Sequence, residues 1–217
     1  MRTAKATYLQ PRSAAIASPA IPSSRKGLLF IPDISGFTSF VHQTDLQLGR
    51  RIIAELLTSI LEHNVLDLQV SEIEGDAVLF YRCGPLPSVA RILDQYEHML
   101  TGFHQKLAEF NQQLAQPLNL TLKLVAHYGD LAEYRIGGFR KLYGETVIEA
   151  HRLLKNAIVS HTYALLTDNL IAAAQPVLAQ SRRPGVPSSK QCERYDHLGT
   201  ICFTYFDYTT AEKLLST

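Results

Sequence analysis

The chain has little cysteine: three residues in 217, Cys83, Cys192 and Cys202, with no Cys-x-x-Cys pair among them. That excludes a zinc-finger spacing and a dense disulfide framework, and it predicts reduced thiols in a cytoplasmic protein. Long hydrophobic runs are missing as well. A bilayer span needs about 20 apolar residues, and the richest stretch, residues 163–179, is interrupted by Thr167, Asp168, Asn169 and Pro176. No membrane association is therefore expected. Formal net charge is only +1, which gives no whole-molecule attraction to nucleic acid or to an acidic membrane surface. There is no Ser-His-Asp, Cys-His, HExxH or Walker-type Gly-Lys-Ser/Thr arrangement, and no internal repeat.

Acidic residues are absent from positions 1–26, which carry Arg2, Lys5, Arg12, Arg25 and Lys26 among many Ala, Ser and Pro. This segment reads as a disordered basic tail; a transit peptide has a similar composition. A secretory signal is not expected, because no continuous apolar core is present. Residues 27–217 are expected to form a single domain. Hydrophobic residues make up 46% of the chain, normal for a globular protein, and the length suffices for a sizeable core.

What is present is organised from Gly27 onward. Residues 28–31 read as a short buried strand ended by Pro32. Residues 46–64 have helical spacing, with Ile53, Leu56, Leu57, Ile60 and Leu61 on one face. Residues 65–73 and 77–82 read as strands joined at Glu74-Gly75-Asp76, a hairpin signal. Residues 85–114 form a long amphipathic pattern with Val89, Ile92, Leu93, Tyr96, Leu100, Phe103, Leu107 and Phe110 facing inward. Residues 118–127 alternate, with Leu118, Leu120, Leu122, Leu124 and Ala126 on one side. Gly129 is expected to break that strand, and residues 131–136 to start another. Residues 145–155 and 163–174 are expected to be helices, 176–190 a flexible loop, and 195–207 a strand or hairpin pivoting on Gly199. The order β-α-β-β-α-β with C-terminal additions is an α+β, ferredoxin-like pattern. That fold also hosts RNA-binding modules, but no strand carries their aromatic signature, so no nucleic-acid partner is expected.

Two acidic segments stand out: "FIPDISGFTSF" around Asp33 and "SEIEGDAVLFY" around Asp76. Each places an aspartate where an apolar strand meets a tight turn. With "LVAHYGDL" and "LYGETVIEAHRLL" in order after them, they resemble the class III nucleotidyl cyclase catalytic domain (adenylate and guanylate cyclases) over residues 27–160. The resemblance implies that Asp33 and Asp76, helped by the Ile34 carbonyl, hold two divalent metal ions, Mg²⁺ or Mn²⁺. It implies that Gly36, Phe37 and Thr38 present backbone N–H groups to phosphate at a helix start. It makes Arg152 the catalytic, transition-state arginine, and Glu72 and Lys141 the base-selecting residues, Glu72 being guanine-like. A pyrimidine base stays open. The implied reaction is attack of a ribose 3′-oxygen on the α-phosphorus of a nucleoside triphosphate, expelling pyrophosphate. A homodimer with composite sites is implied, the aspartates coming from one subunit and the arginine helix from the other.

Three positions depart from the family pattern, the first being Lys141, which is neither the aspartate of adenine-specific relatives nor the small polar residue of guanine-specific ones. Ile148 stands where the family has a ribose-orienting asparagine, and the stretch Tyr195-Asp196-His197-Leu198-Gly199 has no triphosphate-gripping lysine. Asn156, one turn beyond Arg152, is either a substitute for that asparagine or a helix-end residue. His127 is expected to be structural, and Glu149 and His151 to lie on the surface. Three functions follow: a cyclase, a degenerate nucleotide- or metal-binding regulator, or a dimeric interaction domain without chemistry.

Overall fold

The protein is represented by a computed structural model, which describes residues 24–114, 116–174 and 183–210. The expected tail lies outside these residues up to position 23, as does part of the expected 176–190 loop. The described residues form β1 (Arg25–Ser35), α1 (Phe37–Gln43), α2 (Leu46–Glu62), β2 (Gln69–Glu74), β3 (Ala77–Cys83), α3 (Val89–Asn111), β4 (Thr121–Ile136), β5 (Phe139–Tyr143), α4 (Glu145–Leu153), β6 (Tyr163–Thr167), α5 (Asp168–Ala173), β7 (Ser188–Tyr195) and β8 (Gly199–Asp207).

One mixed sheet runs β2-β3-β1-β4-β6-β8-β7, with β5 added to the far end of β4. The β4–α4–β6 crossover gives a parallel pair, and the remaining pairs are antiparallel. The α+β, ferredoxin-like expectation is met. Strand alternation divides the side chains between two faces. On one, Leu28, Phe30, Leu122, Leu124 and Ala126 pack against α2 and α3 through Ile52, Leu56, Ile60, Tyr96 and Phe103. Each fully buried side chain of this size stabilises by about 1.5–3 kcal/mol. The Tyr96 hydroxyl also donates to the Leu122 carbonyl at 2.6 Å, so the one polar atom of that ring is satisfied. On the other face, Leu29, Ile31, Leu79 and Val125 lie beneath α4 and its Ala150 and Leu153.

Several expected boundaries shift. Pro32 does not end β1, which continues to Ser35. The Ile34 N–H donates to the Asp76 carbonyl on the β3 side, and alternation places the missing donor of Pro32 on that same edge. A single ladder bond is forfeited while the β4 ladder continues. Gly129 does not break β4 either. A Cβ there would stand 2.4 Å from Thr146 Oγ1, so glycine is used for the close approach of α4, and the 16-residue strand runs through it. β2 starts only at Gln69, because Asn64 closes a turn, donating to the Leu68 carbonyl and accepting from its N–H. α3 begins at Val89, after Ser88 caps it by accepting from Arg91 N–H. α4 ends at Leu153.

Residues 163–174 are not one helix. Residues 163–167 are a fully buried strand and only 168–173 are helical. A continuous apolar run does not distinguish the two by periodicity, and the Thr167 side chain, accepting from Leu170 N–H, marks the change.

The thiol expectation is overturned. Cys192 on β7 and Cys202 on β8 are cross-strand partners joined as a disulfide, with Cα atoms 4.0 Å apart. Hairpin register brings together two cysteines that no short sequence spacing pairs. Closing this ten-residue separation stabilises by roughly 2–3 kcal/mol on the chain-entropy account. Cys83 is the free thiol among the described cysteines. No described helix is long and apolar enough to cross a membrane.

Candidate active site

Asp33 lies near the end of β1, opposite Ala77 on β3 and Lys123 on β4. Asp76 sits in the tight turn between β2 and β3, where Gly75 takes φ 61°. The bond from Ile34 N–H to the Asp76 carbonyl, 3.1 Å, clamps that turn onto β1. The two aspartates are consequently neighbours, near enough for the charge of one to act on the ionisation of the other. Burial pushes the Asp76 carboxyl up from 3.8 to about 6, and the neighbouring Asp33 charge adds to the shift. Such a pair fits a hard divalent cation: carboxylate oxygens are the preferred donors, and the Ile34 carbonyl shares the strand edge of its own N–H, facing Asp76. Among the described residues no further His, Cys, Asp or Glu joins them as a three-member cluster.

Lys123 is a member of this site that the sequence reading passed over. Its Nζ lies 3.2 Å from Asp33 Oδ2, both side chains being largely buried, and 3.4 Å from the Leu154 carbonyl that follows α4. The signal was present in the alternation. If Leu122 and Leu124 face the main core, Lys123 and Val125 face the other side with Asp33.

Beyond Ser35, Gly36 adopts a left-handed φ of 89° and starts α1. A Cβ at Gly36 would approach the Asn119 carbonyl to 2.5 Å, so this turn requires glycine on both counts. Gly36 and Thr38 are exposed and Phe37 half-buried. A cavity of about 890 Å³ opens beside the turn, lined by Ser35, Gly36, Asn119, Thr121 and His161 among others.

The base-selecting candidates are brought together. Lys141 on β5 donates to the Glu72 carboxylate on β2. That hydrogen bond is the first cause holding the Lys141 ammonium above its usual range.

Arg152 and Ile148 occupy one outward face of α4, a turn apart. Arg152 is exposed without an ion-pair partner among the described residues, and Ile148 is 54% exposed. The chain therefore does not bring Arg152 into contact with its own aspartates. The β4–β5 hairpin carries further exposed apolar side chains, Ile136, Phe139 and Tyr143.

One neighbouring expectation is corrected, for Glu149, and of the two alternatives for Asn156 the helix-end one is met. Glu149 is not a surface residue; its carboxylate lies 2.7 Å from Nε2 of the buried His127, whose Nδ1 contacts Thr167 Oγ1 at 2.8 Å. His127 is structural, as expected, and Glu149 satisfies it. Asn156 does not extend the Arg152 face. The helix has ended, and Asn156 donates to the Leu153 carbonyl and the Tyr163 hydroxyl while accepting from Ile158 N–H. It is a helix-end residue.

Comparison with known proteins gives the family and the fold. The family model described as "Protein of unknown function (DUF2652)" matches residues 53–163, half of the chain, and the chain belongs to that family. A relative from Mycobacterium tuberculosis (strain ATCC 25618 / H37Rv), "Uncharacterized protein Rv2561/Rv2562", is 27% identical over 167 residues, 74% of this chain and 75% of the relative. Among solved structures, the adenylyl cyclase CyaB from P. aeruginosa superposes with a TM-score of 0.64 at 13% identity, covering 84% of this chain and 93% of its own. The guanylyl cyclase Cya2 gives 0.62 at 13%, covering 84% and 92%. The fold is that of a divergent class III cyclase-like domain.

Proposed function

We propose that this member of the DUF2652 family is a class III-type nucleotidyl cyclase homology domain, which converts a nucleoside triphosphate to a 3′,5′-cyclic nucleotide plus pyrophosphate. The observation that carries the reading is the convergence of the Asp33 and Asp76 carboxyls at the β1 end and the β2–β3 turn, with Asp76 pushed up to about 6. Two adjoining carboxyls, partly out of water and destabilised by each other, are suited to a dication. Asp33, Asp76 and the Ile34 carbonyl would hold Mg²⁺ or Mn²⁺; when bound, two such ions would lower the 3′-hydroxyl pKa and neutralise triphosphate charge.

The chain's own groups supply the remainder. Backbone N–H groups of Gly36, Phe37 and Thr38 would receive phosphate oxygens. Glu72 and Lys141 together present an acceptor beside a donor. That pairing matches guanine, whose N1–H and amine donate and whose O6 accepts; the N3–H and O4 of uracil offer a similar edge. Arg152 would stabilise charge as the bond to pyrophosphate breaks. Because Arg152 is exposed on α4 beside Ile148 and has no ion-pair partner among the described residues, this reading needs a second copy of the chain across that face. A homodimer then completes two sites from four halves.

The test is to incubate the purified chain with ATP, GTP, CTP and UTP in turn, with Mg²⁺ or Mn²⁺, and to assay cyclic product and pyrophosphate. The expected result is product from GTP or UTP that disappears in Asp33→Ala and Asp76→Ala. No product and no metal-dependent nucleotide binding would leave a dimeric interaction domain and sink the proposal.

The exposed Ile148 favours a second reading. Isoleucine cannot hydrogen-bond a ribose, and loose positioning costs orders of magnitude in rate. Metal-dependent nucleotide binding with no product in the same assay would identify a binding regulator.

A further inference from the structure

We infer that Lys123 is a tethered cation that occupies the Asp33 carboxylate until a divalent ion displaces it, so that the chain carries its own competitor for metal. The inference rests on the reading of Asp33 and Asp76 as a metal site and adds to it a residue that sets the affinity of that site.

Register places Lys123 directly across from Asp33. Its Nζ stands 3.2 Å from Asp33 Oδ2, a distance at which it satisfies the carboxylate a metal would need. Both side chains are largely shielded, so the pair is less screened than a surface ion pair. Asp33 also faces the Asp76 carboxyl. The ammonium is therefore the positive charge ion-paired where two carboxyls converge. A dication bound by both carboxylates would lie within a few ångströms of that ammonium, and like charges at such range repel strongly in a partly desolvated site. Either the lysine withdraws or the metal binds weakly.

The structure provides for withdrawal. Lysine is a point charge on a flexible four-carbon stem, and Lys123 already has a second acceptor, the Leu154 carbonyl at 3.4 Å. Leu154 is the C-cap of α4, where the helix dipole favours a cation. Displacement would thus shift the ammonium from Asp33 toward the end of the helix that carries Arg152.

The test uses the full chain and Mn²⁺ alone, titrated by calorimetry. Lys123→Met, which keeps the length of the stem and removes the charge, should bind Mn²⁺ about tenfold or more tightly than wild type. Lys123→Arg, which keeps the charge, should stay within about threefold of wild type. Lys123→Gln provides the same neutral arm if the methionine variant fails to fold. In wild type, the Lys123 side-chain NMR resonance should move as diamagnetic Mg²⁺ is added, in step with occupancy. Wild-type binding that is unchanged or weakened in both neutral variants overturns the inference and leaves the metal site standing. A Lys123 resonance that ignores bound Mg²⁺ does the same. Absence of Mn²⁺ binding from wild type and neutral variants alike overturns both.

Discussion

The two halves of the candidate site are built differently. Asp33 and Lys123 come from adjoining strands of the sheet and are largely shielded from water, and Asp76 comes from the half-buried β2–β3 turn clamped onto β1 by a backbone hydrogen bond. Arg152 and Ile148 stand on the outer face of α4, exposed and without ion-pair partners among the described residues. The contrast teaches where each half gets its geometry. Strand register fixes the acidic half within one chain. On the arginine half, the inward face of α4 is fixed by Ala150, Leu153 and the Glu149–His127 contact, while the outward face leaves Arg152 and Ile148 exposed.

The largest expected effect breaks the acidic half. Asp33→Ala or Asp76→Ala should weaken Mn²⁺ binding about 100-fold or more, beyond the 10–100-fold that outer supporting residues control, as read by calorimetry. Next, Arg152→Ala should lower cyclic product formation about 100-fold yet leave Mn²⁺ affinity and thermal stability near wild type, because the side chain is exposed. Mixing Asp33→Ala chains with Arg152→Ala chains should restore about a quarter of wild-type activity, since half the dimers then hold one intact composite site. No recovery on mixing would place both halves within one chain and end the comparison.

A third variant probes the inward face of α4. Glu149→Ala leaves the buried His127 Nε2 unpaired and should cost about 1–3 kcal/mol in chemical denaturation, while Mn²⁺ affinity holds. A fourth prediction concerns pH. The Asp76 carboxyl is pushed from 3.8 to about 6, so between those values the native chain binds more protons than the unfolded one. Its contribution to stability is present at low pH and is lost as pH rises through about 6. Metal needs the ionised form, so Mn²⁺ affinity should move the opposite way, falling by up to about tenfold per pH unit below 6. The smallest effect is that of Ile148→Asn: stability should change by less than about 0.5 kcal/mol at this exposed position, and any change in turnover would report directly on ribose positioning.

Much of the acidic half was legible in the chain. Apolar runs leading into Asp33 and into Glu74-Gly75-Asp76 announce strands with acids near their ends, and the order of elements does the rest. The face that Lys123 takes was legible in the Leu122/Leu124 alternation, but its partner Asp33, 90 positions away, was not. Gly129 misled, since glycine that ends a strand and glycine that admits a neighbouring helix look alike until Thr146 is seen beside it. Residues 163–167 misled because a run buried on both faces has no period. Glu149 looked like a surface acid because its partner His127 is 22 residues away.

The sequence by itself determined the α+β order of elements, the apolar stripe of α3 and the two acidic turns, since these depend on periodicity and on local turn chemistry. Tertiary structure alone decided the Cys192–Cys202 disulfide, the Lys123–Asp33 pair, the burial of Glu149 and the meeting of Glu72 with Lys141. Each joins residues whose spacing along the chain carries no signal, and only strand register and helix packing bring them within reach.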